Sequence, residues 1–171
     1  MKYHHHYHFD VERWLILSVA EGSSASSGIR SLRIGRYTYN EIGGTWKDAS
    51  KACKKGRAHL LTLETPAEWN NVTEDLKALQ MTVVNGFTHF FIGLRKVHGT
   101  WKWTEAGSPG VTVARDDSRW QKGEPSRDSR EVCGEINSLY QNQYGHFNNV
   151  QCDLDYVKES GASRGYICED M

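Results

Sequence analysis

The chain has 171 residues, 38% of them hydrophobic and 25% charged, the composition of one globular domain carrying a tail. Lys plus Arg (21) equals Asp plus Glu (21), so no global field draws in a phosphate backbone, and nucleic acid is not an expected partner. The longest apolar run, Trp14 to Ala20, falls short of the ~20 residues that cross a bilayer, and Asp10 and Glu12 stand in front of it where a secretory signal carries basic residues.

Residues 1–31 are set apart by composition. Met1–His8 is rich in histidine and Glu21–Gly28 has linker composition, so this stretch reads as an N-terminal tail or tag outside the fold. The domain is expected over residues 32–171. Ile34–Tyr39 alternates and is rich in aromatics, the pattern of a strand. Thr45 followed by Asp48 is a capping box that opens a helix, with Trp46, Ala49 and Cys53 on one face and Gly56 as its stop. Lys47, Lys51, Lys54 and Lys55 form the solvated edges of that helix, a basic ligand patch being the sharper alternative. Ala58–Leu63 reads as extended, and Thr65-Pro66-Ala67-Glu68 supplies an N-cap, a proline at N1 and a glutamate at N3 for a second helix. Its apolar stripe is Trp69, Val72, Leu76 and Leu79. Asn71-Val72-Thr73 is an N-glycosylation acceptor triplet, relevant if the chain is secreted. His89–Leu94, Thr100–Thr104, Glu131–Ile136 and Gly165–Cys168 are strand-like, whereas Glu105–Ser129 has little periodicity and reads as a long ordered loop.

Cys53, Cys133, Cys152 and Cys168 are an even set without the Cys-x-x-Cys knuckle of a zinc or redox site, which favours disulfides, and with them an oxidising compartment, over free buried thiols. Spacing alone leaves all three pairings open.

Several segments resemble the C-type lectin-like domain family, in the family's order from Tyr37 to Glu169. Trp46-x-x-Ala49-x-x-x-Cys53 resembles its first helix, Phe91-Ile92-Gly93-Leu94 its core Trp-Ile-Gly-Leu motif, Trp101-x-Trp103 the following strand, and Trp120-x-x-Gly123-Glu124-Pro125 its long-loop motif. The resemblance implies an α+β fold of two helices and two small antiparallel sheets with a long ordered loop, its terminal strands paired. It also implies the disulfides Cys53–Cys168 and Cys133–Cys152. On the loop-entropy model these contribute roughly 4–5 and about 3 kcal/mol.

Lectins of this family hold Ca²⁺ at the long loop through a Glu-Pro-Asn type motif, a Glu before the third cysteine and an Asn-Asp pair, and two vicinal sugar hydroxyls complete the shell. A hard ion wanting six to eight oxygens recruits diol oxygens when the protein supplies too few. By resemblance the set here is Glu124, Ser126, Glu131, Asn148 and Asn149, with Glu124, Glu131, Asn148 and Asn149 as metal ligands, a cis bond before Pro125, and Asp128 as a helper. Ser126 and Asn149 replace an amide and an aspartate, which predicts weak or absent calcium binding. Phe147 stands for a tryptophan. Arg95, Lys96 and His98 occupy positions where an auxiliary calcium site would need acids. The implied function is calcium-dependent recognition of mannose-, glucose- or fucose-type diols on glycans or glycoproteins. The alternative is a calcium-independent protein-binding receptor or adhesion module. Tyr140 and Tyr144 could contact either ligand. The implied location is extracellular, as a secreted protein or an ectodomain, and no heptad pattern sets an oligomeric state.

An enzyme is not expected. His59, His89, His98 and His146 show no metal-ligand spacing, and no nucleophile elbow, phosphate loop or His-Glu-x-x-His motif is present.

Overall fold

The computed structural model describes residues 31–40, 44–82, 89–105, 110–138, 143–153 and 164–171. Residues 1–30, and with them nearly all of the expected tail, lie outside this range. In chain order the elements are β1 (Ser31–Ile34), β2 (Tyr37–Asn40), α1 (Trp46–Lys55), β3 (Ala58–Leu60), α2 (Pro66–Thr82), β4 (His89–Val97), β5 (Thr100–Trp103), β6 (Thr112–Val113), β7 (Cys133–Asn137), β8 (Phe147–Val150) and β9 (Arg164–Asp170).

The stretch expected as one strand over Ile34–Tyr39 is a hairpin. Ile34 pairs with Tyr37 across Gly35-Arg36, and Gly35 sits at φ 58°, a conformation glycine adopts without steric cost. Both helices start where the sequence places them. Thr45 Oγ1 accepts from the Asp48 N–H and the Asp48 carboxylate accepts from the Thr45 N–H. In α2, Glu68 accepts the N–H groups of Glu64 and Thr65, and its own N–H donates to Thr65 Oγ1. The α1 face of Trp46, Ala49 and Cys53 is buried, as are Val72, Leu76 and Leu79 of α2.

β9 is the centre of the topology. One edge pairs antiparallel with β2. Its other edge pairs antiparallel with β3 over Cys168–Asp170 and parallel with β4 over Arg164–Tyr166. That parallel contact joins two antiparallel ladders, β1-β2-β9-β3 and β4 with β5-β6 on one side and β7-β8 on the other. Gly93 of the Phe91–Leu94 motif is required at the junction, because a Cβ there would lie 3.0 Å from the Leu61 carbonyl and 3.1 Å from that of Leu60. Cys53–Cys168 ties α1 to β9, and Cys133–Cys152 ties the start of β7 to the residues after β8.

The long loop is held by aromatic packing. Trp120 bridges to Phe147, its ring centroid 5.9 Å from Phe147 and 5.0 Å from Trp101, and its Nε1–H donates to the Ala114 carbonyl. Backbone bonds from Phe147 N to Arg119 O and from Gln121 N to Phe147 O lay the loop beside β8. Edge-to-face aromatic pairs of this kind stabilise beyond their area. β8 has no counterpart among the expected strands, since Phe147-Asn148-Asn149-Val150 carries two polar residues in a short segment.

Candidate functional site

The loop residues 121–131 turn back against β8. The Glu124 N–H donates to the Gln121 carbonyl, the Glu124–Pro125 peptide is cis, and Arg115 Nη2 donates to the Pro125 carbonyl. This puts four of the five expected site side chains in one network. The Ser126 N–H donates to both Glu124 Oε2 and Asn149 Oδ1, each at 2.7 Å. Ser126 Oγ donates to Glu131 Oε2. Asn149 Nδ2 donates to Ser126 Oγ at 3.1 Å, to the Glu131 carbonyl at 3.2 Å and to Glu131 Oε2 at 3.4 Å. Asn149 is buried, whereas Glu124, Ser126 and Glu131 are half-buried.

The fifth residue, Asn148, is engaged elsewhere. Successive side chains of a strand point to opposite faces, and Asn148 pairs across the ladder with Glu135, donating from Nδ2 to Glu135 Oε1 at 2.8 Å. Asp128, the expected helper, forms a forked pair with Arg130, whose side-chain and backbone N–H bonds lower its carboxyl to about 2. Its N–H donates to Ser126 Oγ, so it reaches the network through its backbone. Tyr140 lies outside the described residues, and Tyr144 packs against the core. Asn71 is exposed on α2, but Thr73 of the same triplet is buried and donates to the Trp69 carbonyl.

Sequence reading gave no weight to a buried charge cluster behind β8. Glu135 and Arg164 are 1% and 4% exposed and form an ion pair at 2.6 Å. His89 Nδ1 lies 4.0 Å from Glu135 Oε1. Burial holds the His89 imidazole below its ordinary value, outweighing the pull of Glu135, while Arg164 lowers it further. The available signal was a charged residue within the otherwise apolar run Val132–Ile136.

The oxygens that meet at Ser126 are those of Glu124, Glu131, Asn149 and the serine itself, two carboxylates and two neutral donors. This all-oxygen set is of the kind a hard divalent cation takes, and it falls short of six to eight ligands. Asn149 Nδ2 turns two hydrogens toward the same oxygens, where an aspartate would present acceptors alone. Among the described residues no group of three or more His, Cys, Asp or Glu side chains is placed to hold a metal.

The model of the lectin C-type domain matches residues 42–169. This chain belongs to the C-type lectin domain family. Among curated relatives, rat L-selectin is 28% identical over 117 residues, which is 68% of this chain and 29% of that protein. Pig E-selectin is 28% identical over 109 residues, 63% of this chain and 20% of that protein. The chain therefore spans less than a third of the length of these relatives. Solved structures share the fold: a lectin C-type domain from a hypothetical C. elegans protein (21% identity, TM-score 0.59, covering 88% of this chain and 87% of that one) and the cow CD23 carbohydrate-recognition domain crystallised with a GlcNAc2Man3 oligosaccharide (19%, 0.55, covering 82% and 92%). C-type lectin domains are generally non-enzymatic binding modules, found in extracellular proteins or ectodomains, and generally bind Ca²⁺. No helix among the described residues is long and apolar enough to cross a membrane.

Proposed function

We propose that this C-type lectin domain is an extracellular carbohydrate-binding module, not an enzyme, that recognises vicinal hydroxyls of mannose-, glucose- or fucose-type sugars at the Glu124–Glu131 loop, with a weakly held Ca²⁺ as the bridge. The observation carrying this reading is the convergence of Glu124 Oε2, Asn149 Oδ1, Ser126 Oγ and Glu131 Oε2 around one serine. Glu124 and Glu131 accept hydrogen bonds from neutral groups, the Ser126 N–H, the Ser126 hydroxyl and the Asn149 amide, and neither forms a salt bridge among the described residues, so a cation could take up their charge. The ion would supply positive charge and open coordination positions for a diol. Asn149 and Ser126 would fix the loop against β8, while Asn148 stays on the other face of the strand with Glu135. The name of the CD23 structure, a carbohydrate-recognition domain with an oligosaccharide, supports the ligand class for this fold.

A second reading follows from Asn149. Its amide already satisfies Glu131 and Ser126 from within, so the loop can stand without an ion and serve a calcium-independent protein contact. A glycan array probed with the full chain in calcium and in chelator separates the two. Retention on mannose-type glycans that is lost in chelator is the expected result; no glycan signal in either buffer favours the protein-binding alternative.

A further inference from the structure

α1 keeps the helix-end rules, with Asp48 in its first turn and Lys54 and Lys55 in its last, yet its exposed face carries more cations than those rules call for. Lys47, Lys51 and Lys55 succeed one another at i, i+4 and i+8, all exposed, and Lys54 is exposed beside them. Like charges four apart on a helix repel, and a lysine in the first turn opposes the helix dipole. Arg57 follows at φ 59°, the left-handed conformation in which glycine is the unstrained choice. Five cations over Lys47–Arg57 thus face one acid, Asp48, in a chain whose formal net charge is zero. Asp48 holds the Thr45 cap, and its charge also acts on Lys51 and Lys47.

The positive surface extends past the helix. Arg95 of β4 places its guanidinium 4.8 Å from the centroid of the Trp46 ring, the first residue of α1. Directly opposite Arg95 on β5 stands Lys102, a like-charged cross-strand pair of the sort that destabilises a sheet. Glu105, which follows β5, is buried and held by Ser50 Oγ and Lys54 Nζ. It offsets Lys54 and leaves Lys47, Lys51, Lys55 and Arg57 without a salt bridge among the described residues.

We propose that α1 and the adjoining Arg95–Lys102 pair form a second binding surface, for a linear sulfated polysaccharide. At a rise of about 1.5 Å per residue the Lys47–Lys55 row extends about 12 Å along the helix, an inclined row of point charges suited to a repeating anion. The charge is local in an otherwise neutral chain, which favours a flexible polyanion laid along one helix over a nucleic acid duplex, whose binding calls for a wider basic field. This inference is independent of the loop reading, because none of its residues belongs to the Glu124–Glu131 network.

The test is binding of a size-defined heparin oligosaccharide to the full chain, compared with its desulfated form and with single- and double-stranded DNA of similar charge, over a salt series. The sulfated probe should bind in chelator as well as in calcium, the desulfated form should not, and Lys47→Gln/Lys51→Gln/Lys55→Gln should weaken binding about tenfold or more and reduce the salt slope by roughly two to three units. Glu131→Gln should leave this binding unchanged. Circular dichroism of the triple variant, matching the parent, ensures that the loss is not unfolding. Retention by the triple variant equal to the parent's, or binding of DNA as tight as that of the sulfated probe at each salt concentration, would overturn the proposal.

Discussion

Glu135 carries three neighbours with one carboxylate: Arg164 on Oε2, Asn148 on Oε1 and His89 at 4.0 Å. Removing one partner from a buried pair costs more than replacing both, because the remaining charge stays desolvated. Glu135→Ala is therefore expected to lower unfolding free energy by about 3–5 kcal/mol, and Glu135→Leu combined with Arg164→Met by much less, a comparison read by urea denaturation of the single and double variants. His89 adds a pH dependence. Its folded-state pKa is depressed by burial, so the unfolded chain binds the proton first, and stability present above about 6.5 is lost as pH falls below that value. Thermal melts from pH 7.5 to pH 5 should show this decline, and His89→Gln should flatten it. A decline of undiminished slope in the variant would assign the effect to other groups.

At the scale of elements, capping residues carried most of the legible signal. Thr45/Asp48 and Thr65/Glu68 mark helix starts chemically, through N–H groups that need acceptors, and this local requirement is visible in sequence. Thr45→Ala should cost about 1 kcal/mol of stability by chemical denaturation with the fold retained; an unchanged midpoint would show that burial of Trp46 alone fixes the helix start. β8 illustrates the opposite case. Its pairing with β7 and the Trp120–Phe147 contact are long-range, and Phe147-Asn148-Asn149-Val150 has no propensity that announces them. The same element explains the site. Glu124, Ser126, Glu131 and Asn149 were legible as a group from motif order, but the direction of Asn148 depends on strand alternation and on Glu135 across the ladder. The β1–β2 hairpin was missed because the alternation around Gly35 continues on both sides of the turn.

Across the whole molecule, two disulfides and one parallel strand contact tie together the sheet on which the Trp120–Phe147 packing seats the loop. Cys133–Cys152 encloses β8, and Glu131 stands two residues outside it, so the Glu131–Asn149 contact is held by a covalent frame. On the proposed calcium-and-sugar reading, the chemistry of this loop then reduces to charge. With Asn149 neutral, Glu124 and Glu131 are the only anions of the set, and affinity in such sites follows ligand charge and rigidity. Calorimetric titration of Ca²⁺ into the parent chain, Glu131→Gln and Asn149→Asp, repeated with a mannose-type oligosaccharide present, tests this most directly. The parent should bind calcium in roughly the 10⁻⁴ to 10⁻³ M range, Glu131→Gln should lose it, Asn149→Asp should tighten it by about tenfold, and the sugar should strengthen calcium binding in the parent and in Asn149→Asp. Calcium binding that survives Glu131→Gln unchanged, or sugar binding that is as strong in chelator as in calcium, would contradict the account.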